Sequence, residues 1–599
     1  MTADTPSPAS APSTIKRPLL IGGAIALVIV CLCCLLAVAI VALDPFGWNL
    51  LGFLFGRGDP LAASMPADTL LYISVDITQA TPEKLNRVVQ PFQDALGVEE
   101  KIDLDRLKEE IDNSLLSGLD MTFKEDIEPW IGQYIAFGMK NIQMDYASSG
   151  EMPSFLLALE TRNSGKADEF LLKLKEESLT AGGDTIQETT YQDVTIFFST
   201  PTYGQGMAFA RSGNAILIAT TAKDIQDAID AQKGDSLADI ADYKETIGAL
   251  PSGRILTIYM DYGNFLESYL STLDTMTQSA LPGTGLDIAQ MDLFTKAIED
   301  SSSQMGGMAM GLRIVDAGIQ MDAAMVTDTG DLTPEQKAIA EKSGPAKDVI
   351  TLLPEDTFLF IAGKYPNEGW TSVRTSLIGT GLATASDYDE AMQSFEQVTG
   401  VNPETDIFPY LGGEVAVAAF PSSSGLLAES IGTDLGAVAL LETNNGDAAL
   451  ETIGKLVPTF EELGLPLDRK EAEGLTYYEG VDPSTQTSAF ALGVGGKYFL
   501  LGSNGQILED VHTRKTSLSD SSQYQQAVKA LPGGMSPVMY LDFQGLLNVV
   551  RGSMSGSTLR NFNETMRSID PITALILGTA PQRGRLATMS YVLIMEPVK

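Results

Sequence analysis

Histidine occurs once, at His512, and cysteine only at Cys31, Cys33 and Cys34, in a chain of 599 residues. Imidazole and thiolate are the usual zinc ligands and the usual means of activating a nucleophile. Zinc centres, thiol catalysis and histidine-based triads therefore have almost nothing to be built from. The three cysteines share one apolar run, which leaves no disulfide framework elsewhere. Positive charge is scarce too: 39 Lys and Arg stand against 78 Asp and Glu, a formal net charge of −39. A field of that sign repels phosphate, which excludes nucleic acid as a partner and disfavours anionic lipid headgroups. Nucleotide loops are missing as well. Gly-Lys occurs at Gly165, Gly363, Gly454 and Gly496, never followed by Ser or Thr, so no hydroxyl is placed to hold magnesium. No G-x-S-x-G elbow occurs, and S-x-x-K appears only at Ser13–Lys16.

What is present begins with an uncharged run from Leu19 to Leu43. As a helix it would span about 37 Å, against a hydrocarbon layer of about 30 Å. Lys16 and Arg17 precede it, whereas Asp44 follows and the next basic residue is Arg57. That asymmetry places the N-terminus in the cytoplasm and the rest outside the cell membrane. Ala37-Val38-Ala39 has the form of a cleavage site, but the run is longer than a signal-peptide core, so an uncleaved anchor is expected. Residues 1–18 read as a disordered cytoplasmic tail and 19–43 as a transmembrane helix in contact with the lipid bilayer. Residues 44–64 read as a juxtamembrane segment, with Phe46, Trp48, Phe53 and Phe55 at the interface. Arg57-Gly58-Asp59 is too short a match to carry meaning.

The exterior part matches itself. Ser236–Asp261 aligns without a gap onto Ser517–Asp542 at an offset of 281, with ten identities in 26 positions. They include Asp239/Asp520, Tyr243/Tyr524, Ala249-Leu250-Pro251/Ala530-Leu531-Pro532, Gly253/Gly534, Tyr259/Tyr540 and Asp261/Asp542. Pro66-Ala67-Asp68-Thr69 answers Pro354-Glu355-Asp356-Thr357, Asp126-Ile127 answers Asp406-Ile407, and Glu160-Thr161 answers Glu442-Thr443. Each copy closes on an apolar segment, Ile319–Val326 and Leu586–Met595. The expected units are 65–326 and 353–599, joined by a linker at 327–352 whose short helix has Thr333 as N-cap, Pro334 at the first position and Gln336 completing a capping box.

The P-A-D-T-x-x-Y opening from Pro66 to Tyr72, the A-L-P-x-G segment and the single anchor resemble a bacterial family of membrane-anchored proteins known only as a domain of unknown function. The resemblance covers nearly all of the exterior part and implies no catalytic residues. Phe360 replaces Tyr72 in the second copy, so a hydroxyl there is not needed in both.

Within the first unit, strand composition marks Leu70–Asp76, Gln133–Met139, Pro153–Glu160, Val194–Phe198, Met207–Arg211, Asn214–Thr220 and Ile255–Asp261. Helices are expected at Pro82–Leu96, Lys101–Leu116, around Ala167–Leu174, and near Ala222–Gln232 and Ala238–Leu250. Adjacent strands interrupted by helix pairs suit α+β, with a largely antiparallel sheet in each of two tandem units.

Chemistry finds few candidates. Asp68/Asp356, Asp126/Asp406 and Asp261/Asp542 recur in both copies and would be the carboxylates of a wall-degrading hydrolase. Each lies at a strand or turn boundary, where aspartate satisfies free backbone N–H groups, and that structural role is the favoured one. Met305, Met308 and Met310 beside Gly306-Gly307 could suit Cu(I), but read more simply as core filler alternating along a strand. No catalytic, cofactor or metal-ligating residue is assigned. The expectation is a non-enzymatic binding or scaffolding module at the cell envelope, its envelope partner or ligand unknown. A carboxylate hydrolase and a carrier of an apolar ligand are the alternatives.

Overall fold

Short segments that alternate in side-chain size and polarity, separated by Gly-, Asp- and Asn-bearing turns, form strands here rather than helices. In the computed structural model the described residues are 59–97, 120–140, 154–182, 186–199, 207–268, 305–327, 341–367, 384–423, 435–481 and 487–596, with a few isolated positions between them. The expected cytoplasmic tail, the membrane helix at 19–43, most of the juxtamembrane segment, nearly all of the helix at Lys101–Leu116 and the Thr333 cap lie outside them.

The first ten strands are β1 (Leu71–Asp76), β2 (Ile131–Met139), β3 (Phe155–Thr161), β4 (Ile186–Tyr191), β5 (Val194–Ser199), β6 (Ala208–Ser212), β7 (Ala215–Ala219), β8 (Leu256–Asp261), β9 (Met305–Val315) and β10 (Gly318–Thr327). They pair in the order β4-β5-β6-β7-β3-β2-β1-β8-β9-β10, every pair antiparallel. The next ten are β11 (Leu359–Tyr365), β12 (Leu411–Pro421), β13 (Leu435–Thr443), β14 (Leu467–Ala472), β15 (Leu475–Val481), β16 (Ser488–Gly495), β17 (Tyr498–Gly502), β18 (Ser536–Asp542), β19 (Ile572–Thr579) and β20 (Leu586–Met595). Their order is β14-β15-β16-β17-β13-β12-β11-β18-β19-β20, again antiparallel throughout.

The expected architecture, a transmembrane helix followed by two units each with its own sheet, is corrected in its sheets, while the expected helix at 19–43 falls outside the described residues. β10 pairs with β20 from Gly318↔Ile594 to Val326↔Leu586, and all twenty strands make one sheet. Among the described residues no helix is long and apolar enough to cross a membrane. The two segments expected to close separate copies are in fact the strands that join. An edge strand exposes a row of unpaired N–H and C=O groups, and pairing two such edges removes both rows.

The seam has its own polar lock. Tyr259 pairs with Ala309 and Ala309 with Ala324, while Tyr540 pairs with Ile576 and Ile576 with Val592. Asp322 and Ser590 thus hold corresponding places, and they face each other directly. A local two-fold passes between them. Both are buried, Gln320 donates to the Asp322 carboxylate at 2.8 Å and to the Ser590 hydroxyl at 3.0 Å, and Arg313 reaches Asp322 at 3.0 Å. Arg585 then ties the start of β20 to Asp242 and Glu245 of the first half.

Helices α1 (Pro82–Leu96), α2 (Ser164–Gly182), α3 (Ala222–Ala231) and α4 (Ala241–Ala249) belong to the first half. The second half carries α5 (Ala385–Thr399), α6 (Gly446–Glu462), α7 (Gly505–Thr513), α8 (Ser522–Ala530), α9 (Phe543–Gly552) and α10 (Gly556–Met566). Ile225, Ala228 and Ile229 of α3 pack on Tyr72, Ala158, Leu217 and Tyr259. Ile507, Leu508 and Val511 of α7 pack on Phe360, Ala418, Leu440 and Tyr540. Register places these residues on one side of the sheet, so both main cores lie there.

Candidate functional site

The six repeated aspartates do local work. Asp68 pairs with Lys140 at 3.0 Å, and Asp356 lies near Arg514 with its carboxyl raised by partial burial. Asp126 and Asp406 each sit in a single π-helical turn, Phe123–Ile127 and Pro403–Ile407. Each accepts from the backbone N–H four residues earlier, at Thr122 and Asn402, and each meets a lysine of the helix that follows, Lys173 and Lys455. Asp261 accepts from the Asn264 N–H, and Asp542 caps α9 through the Gly545 N–H at 2.9 Å. No two of the six share a hydrogen-bond or ion-pair partner among these contacts. His512 closes the last turn of α7, its Nε2 3.2 Å from the Glu473 carbonyl. Among the described residues no group of three His, Cys, Asp or Glu is placed to hold a metal.

The other recurring residues are scaffold. Ser236/Asp239 and Ser517/Asp520 form reciprocal capping boxes around 3-10 turns whose Leu237 and Leu518 are buried. Gly253 and Gly534 of the A-L-P-x-G segments have φ of +77° and +87°, a backbone that disfavours any side chain. Tyr243 meets Tyr72 and Tyr259 edge-on, and Tyr524 meets Phe360 and Tyr540 in the same way. Glu160 and Glu442 accept the backbone N–H groups that bulges in β2 and β12 set free.

Differences between the halves are more informative. In the first, Asp59 caps the 3-10 turn Pro60–Ser64 through the Leu61 N–H at 2.9 Å and takes the Tyr72 hydroxyl as a second donor. Burial pushes the Asp59 carboxyl up, against the hydrogen bonds from Ser74 and Tyr72 that lower it. Burial also raises the Tyr72 hydroxyl well above its ordinary value. In the second half the corresponding 3-10 turn is Val349–Leu352, and Phe360 offers no hydroxyl. There Glu414 supplies the carboxylate from β12, accepting from the Lys347 and Val349 N–H groups at 2.9 and 2.7 Å. Glu414 faces Lys364 just as Tyr134 faces Asp76. One turn, two sources of the capping carboxylate. Sequence reading passed over Asp59 within Arg57-Gly58-Asp59; its signal was the Pro60 directly after it.

The second difference lies on the sheet face opposite the main cores. Directly paired residues run in one row through Ile216, Leu159, Ile135, Val75, Leu256, Leu312 and Met321 of the first half. The row continues through Tyr591, Leu577, Met539, Ile361, Val417, Ala439 and Leu501 of the second. No charged residue interrupts the row. Met308 and Met310 belong to the same face, with Ala309 between them in the core. The expected alternation is there, with its faces exchanged. Leu85 and Val88 of α1 cover Val75 and Leu312, and α2 covers Ile135, Leu159 and Ile216. In the second half Ile361, Val417 and Leu501 are 58, 60 and 44% exposed.

A family model described as protein of unknown function (DUF3352) matches residues 24–593. The chain belongs to that family. Membership assigns no role to any residue of this DUF3352 chain. No curated protein matches it. Crystal forms I, III and IV of TP0453 are similar in structure at 10, 8 and 10% identity, covering 47, 49 and 48% of this chain and 85, 91 and 87% of theirs. Their TM-scores of 0.22, 0.21 and 0.20 are too low for any argument to rest on them.

Proposed function

We propose that this DUF3352 protein is a non-enzymatic binding or scaffolding module of the cell envelope, and that the apolar sheet face is the surface it offers. The observation that supports this best is the uncharged row across fourteen strands with Ile361, Val417 and Leu501 bare at its end. Covering such side chains releases roughly 25 cal/mol for each Å² removed from water. The uncharged run Leu19–Leu43, with Lys16 and Arg17 on one side only, supports placement at the bilayer with the remainder outside the cytoplasm. Ten identities between Ser236–Asp261 and Ser517–Asp542 support descent of the two halves from one unit, which would make this face broad. Against the hydrolase alternative, four of its six candidate carboxylates, Asp126, Asp261, Asp406 and Asp542, accept from backbone N–H groups.

A photocrosslinking residue placed at Ile361 or Val417 of the full chain in cells is expected to give adducts that the same residue at exposed Glu564 does not. Equal adducts at all three positions, or none at Ile361 and Val417, would overturn the reading.

A further inference from the structure

Resting on that reading, we infer that the second-half end of the row is a docking track for one long hydrocarbon chain of an uncharged lipid. Leu501, Ala439, Val417, Ile361, Met539 and Leu577 lie side by side on six adjacent strands. At a strand spacing of about 4.8 Å the track is about 24 Å long, the reach of a long acyl chain.

Four features select this occupant. At Ile361, Val417, Ala439 and Leu501 the backbone lies in the ladder between two neighbouring strands. An extended peptide laid on the face would therefore find no main-chain partner, and its own amides would lose water without compensation. The track offers no nitrogen or oxygen from any side chain, so only surface area rewards a ligand. A second copy of the chain brings another formal charge of −39, and an anionic lipid brings like charge as well; an uncharged hydrocarbon brings none. Finally, thioethers such as that of Met539 are flexible and polarizable, and adapt to a chain of irregular shape.

The location follows from the asymmetry of the halves. Ile73, Phe137, Leu157 and Ile218 occupy the places of Ile361, Val417, Ala439 and Leu501 in the first half, and all four are half-buried. In the second half three of these four places, Ile361, Val417 and Leu501, are exposed, and Ala439 between them is half-buried.

The test irradiates the full-length chain with a photoactivatable long-chain fatty alcohol and maps the label by peptide mass spectrometry. Label is expected on the peptides of β11, β12 and β17 and not on that of Leu96, an exposed leucine at the end of α1. Ile361→Thr with Val417→Thr keeps branched strand formers at exposed positions, and should lower track labelling by about tenfold, the equivalent of about 1.4 kcal/mol. Unchanged labelling in the double variant, or equal label at Leu96, would overturn the track. So would a concentration-dependent dimer that the double variant abolishes, since a second copy would then be the occupant. Adducts to a protein from Ile361 or Val417 without any alcohol labelling would sink the lipid assignment and leave the binding-module reading standing. Loss of both sets of adducts would sink both.

Discussion

Tyr72 and Phe360 occupy the same place in two cores and differ by one oxygen. That oxygen is committed to Asp59, which caps the turn entering the first half. Where the tyrosine is absent, the capping carboxylate comes from Glu414 instead. Tyr72→Phe should therefore cost about 1–3 kcal/mol, because it strips a donor from a buried carboxyl rather than merely deleting a bond; urea unfolding measures this, and a neutral change would refute it. The pH dependence has a definite sign. Burial raises the Asp59 carboxyl above the ordinary 3.8, so the stability it contributes is complete below that value and is lost as pH rises through the folded-state pKa. Asp59→Asn cannot ionise and still offers an oxygen to the Leu61 N–H. It should gain stability relative to the wild type as pH rises across that window; a difference flat with pH would show that Asp59 does not titrate there.

Among elements, β4 was missed in the sequence and β10 was misjudged. The β4 segment, IQETTY, carries Gln187, Glu188 and two threonines and among the described residues pairs only with β5, at the sheet's edge. None of its six residues is buried, so neither face imposes apolar alternation and its signal is weak. β14, at the opposite edge, protects itself with Asp468, Arg469, Lys470 and Glu471. β10 was legible as a strand, but nothing in its sequence says which edge it meets. Its buried Gln320 is the trace of that partner, since its amide reaches the Ser590 hydroxyl only when β10 lies against β20. Asp322→Ala leaves Arg313 without its carboxylate and should destabilise by about 3–5 kcal/mol. Thermal unfolding with hydrogen exchange on β9, β10, β19 and β20 would check it, and loss confined to β9 would contradict a shared seam.

For the whole molecule, one sheet through both halves predicts one unfolding transition. Calorimetry giving two well-separated transitions would contradict it, because every strand is bonded to the next across β10–β20. The formal charge of −39 acts against that compact state. Raising salt from about 0.01 M to about 1 M shortens the screening length from about 30 to about 3 Å, so the melting temperature should rise; a fall would show that ion pairs such as Arg313–Asp322 outweigh the net repulsion. Composition and local pattern alone determined the acidic field, the absence of imidazole and thiolate chemistry, most strand and helix positions in the first half, and the internal match, because these depend on residue identity and short-range periodicity. Tertiary structure decided that two expected sheets are one, that four of the six repeated aspartates accept from backbone N–H groups while Asp68 pairs with Lys140, that Asp59 and Glu414 exchange one task, and that an apolar row lies bare at Ile361, Val417 and Leu501. Those facts depend on which strand lies beside which, and pairing between residues hundreds of positions apart leaves no periodic mark in a single chain.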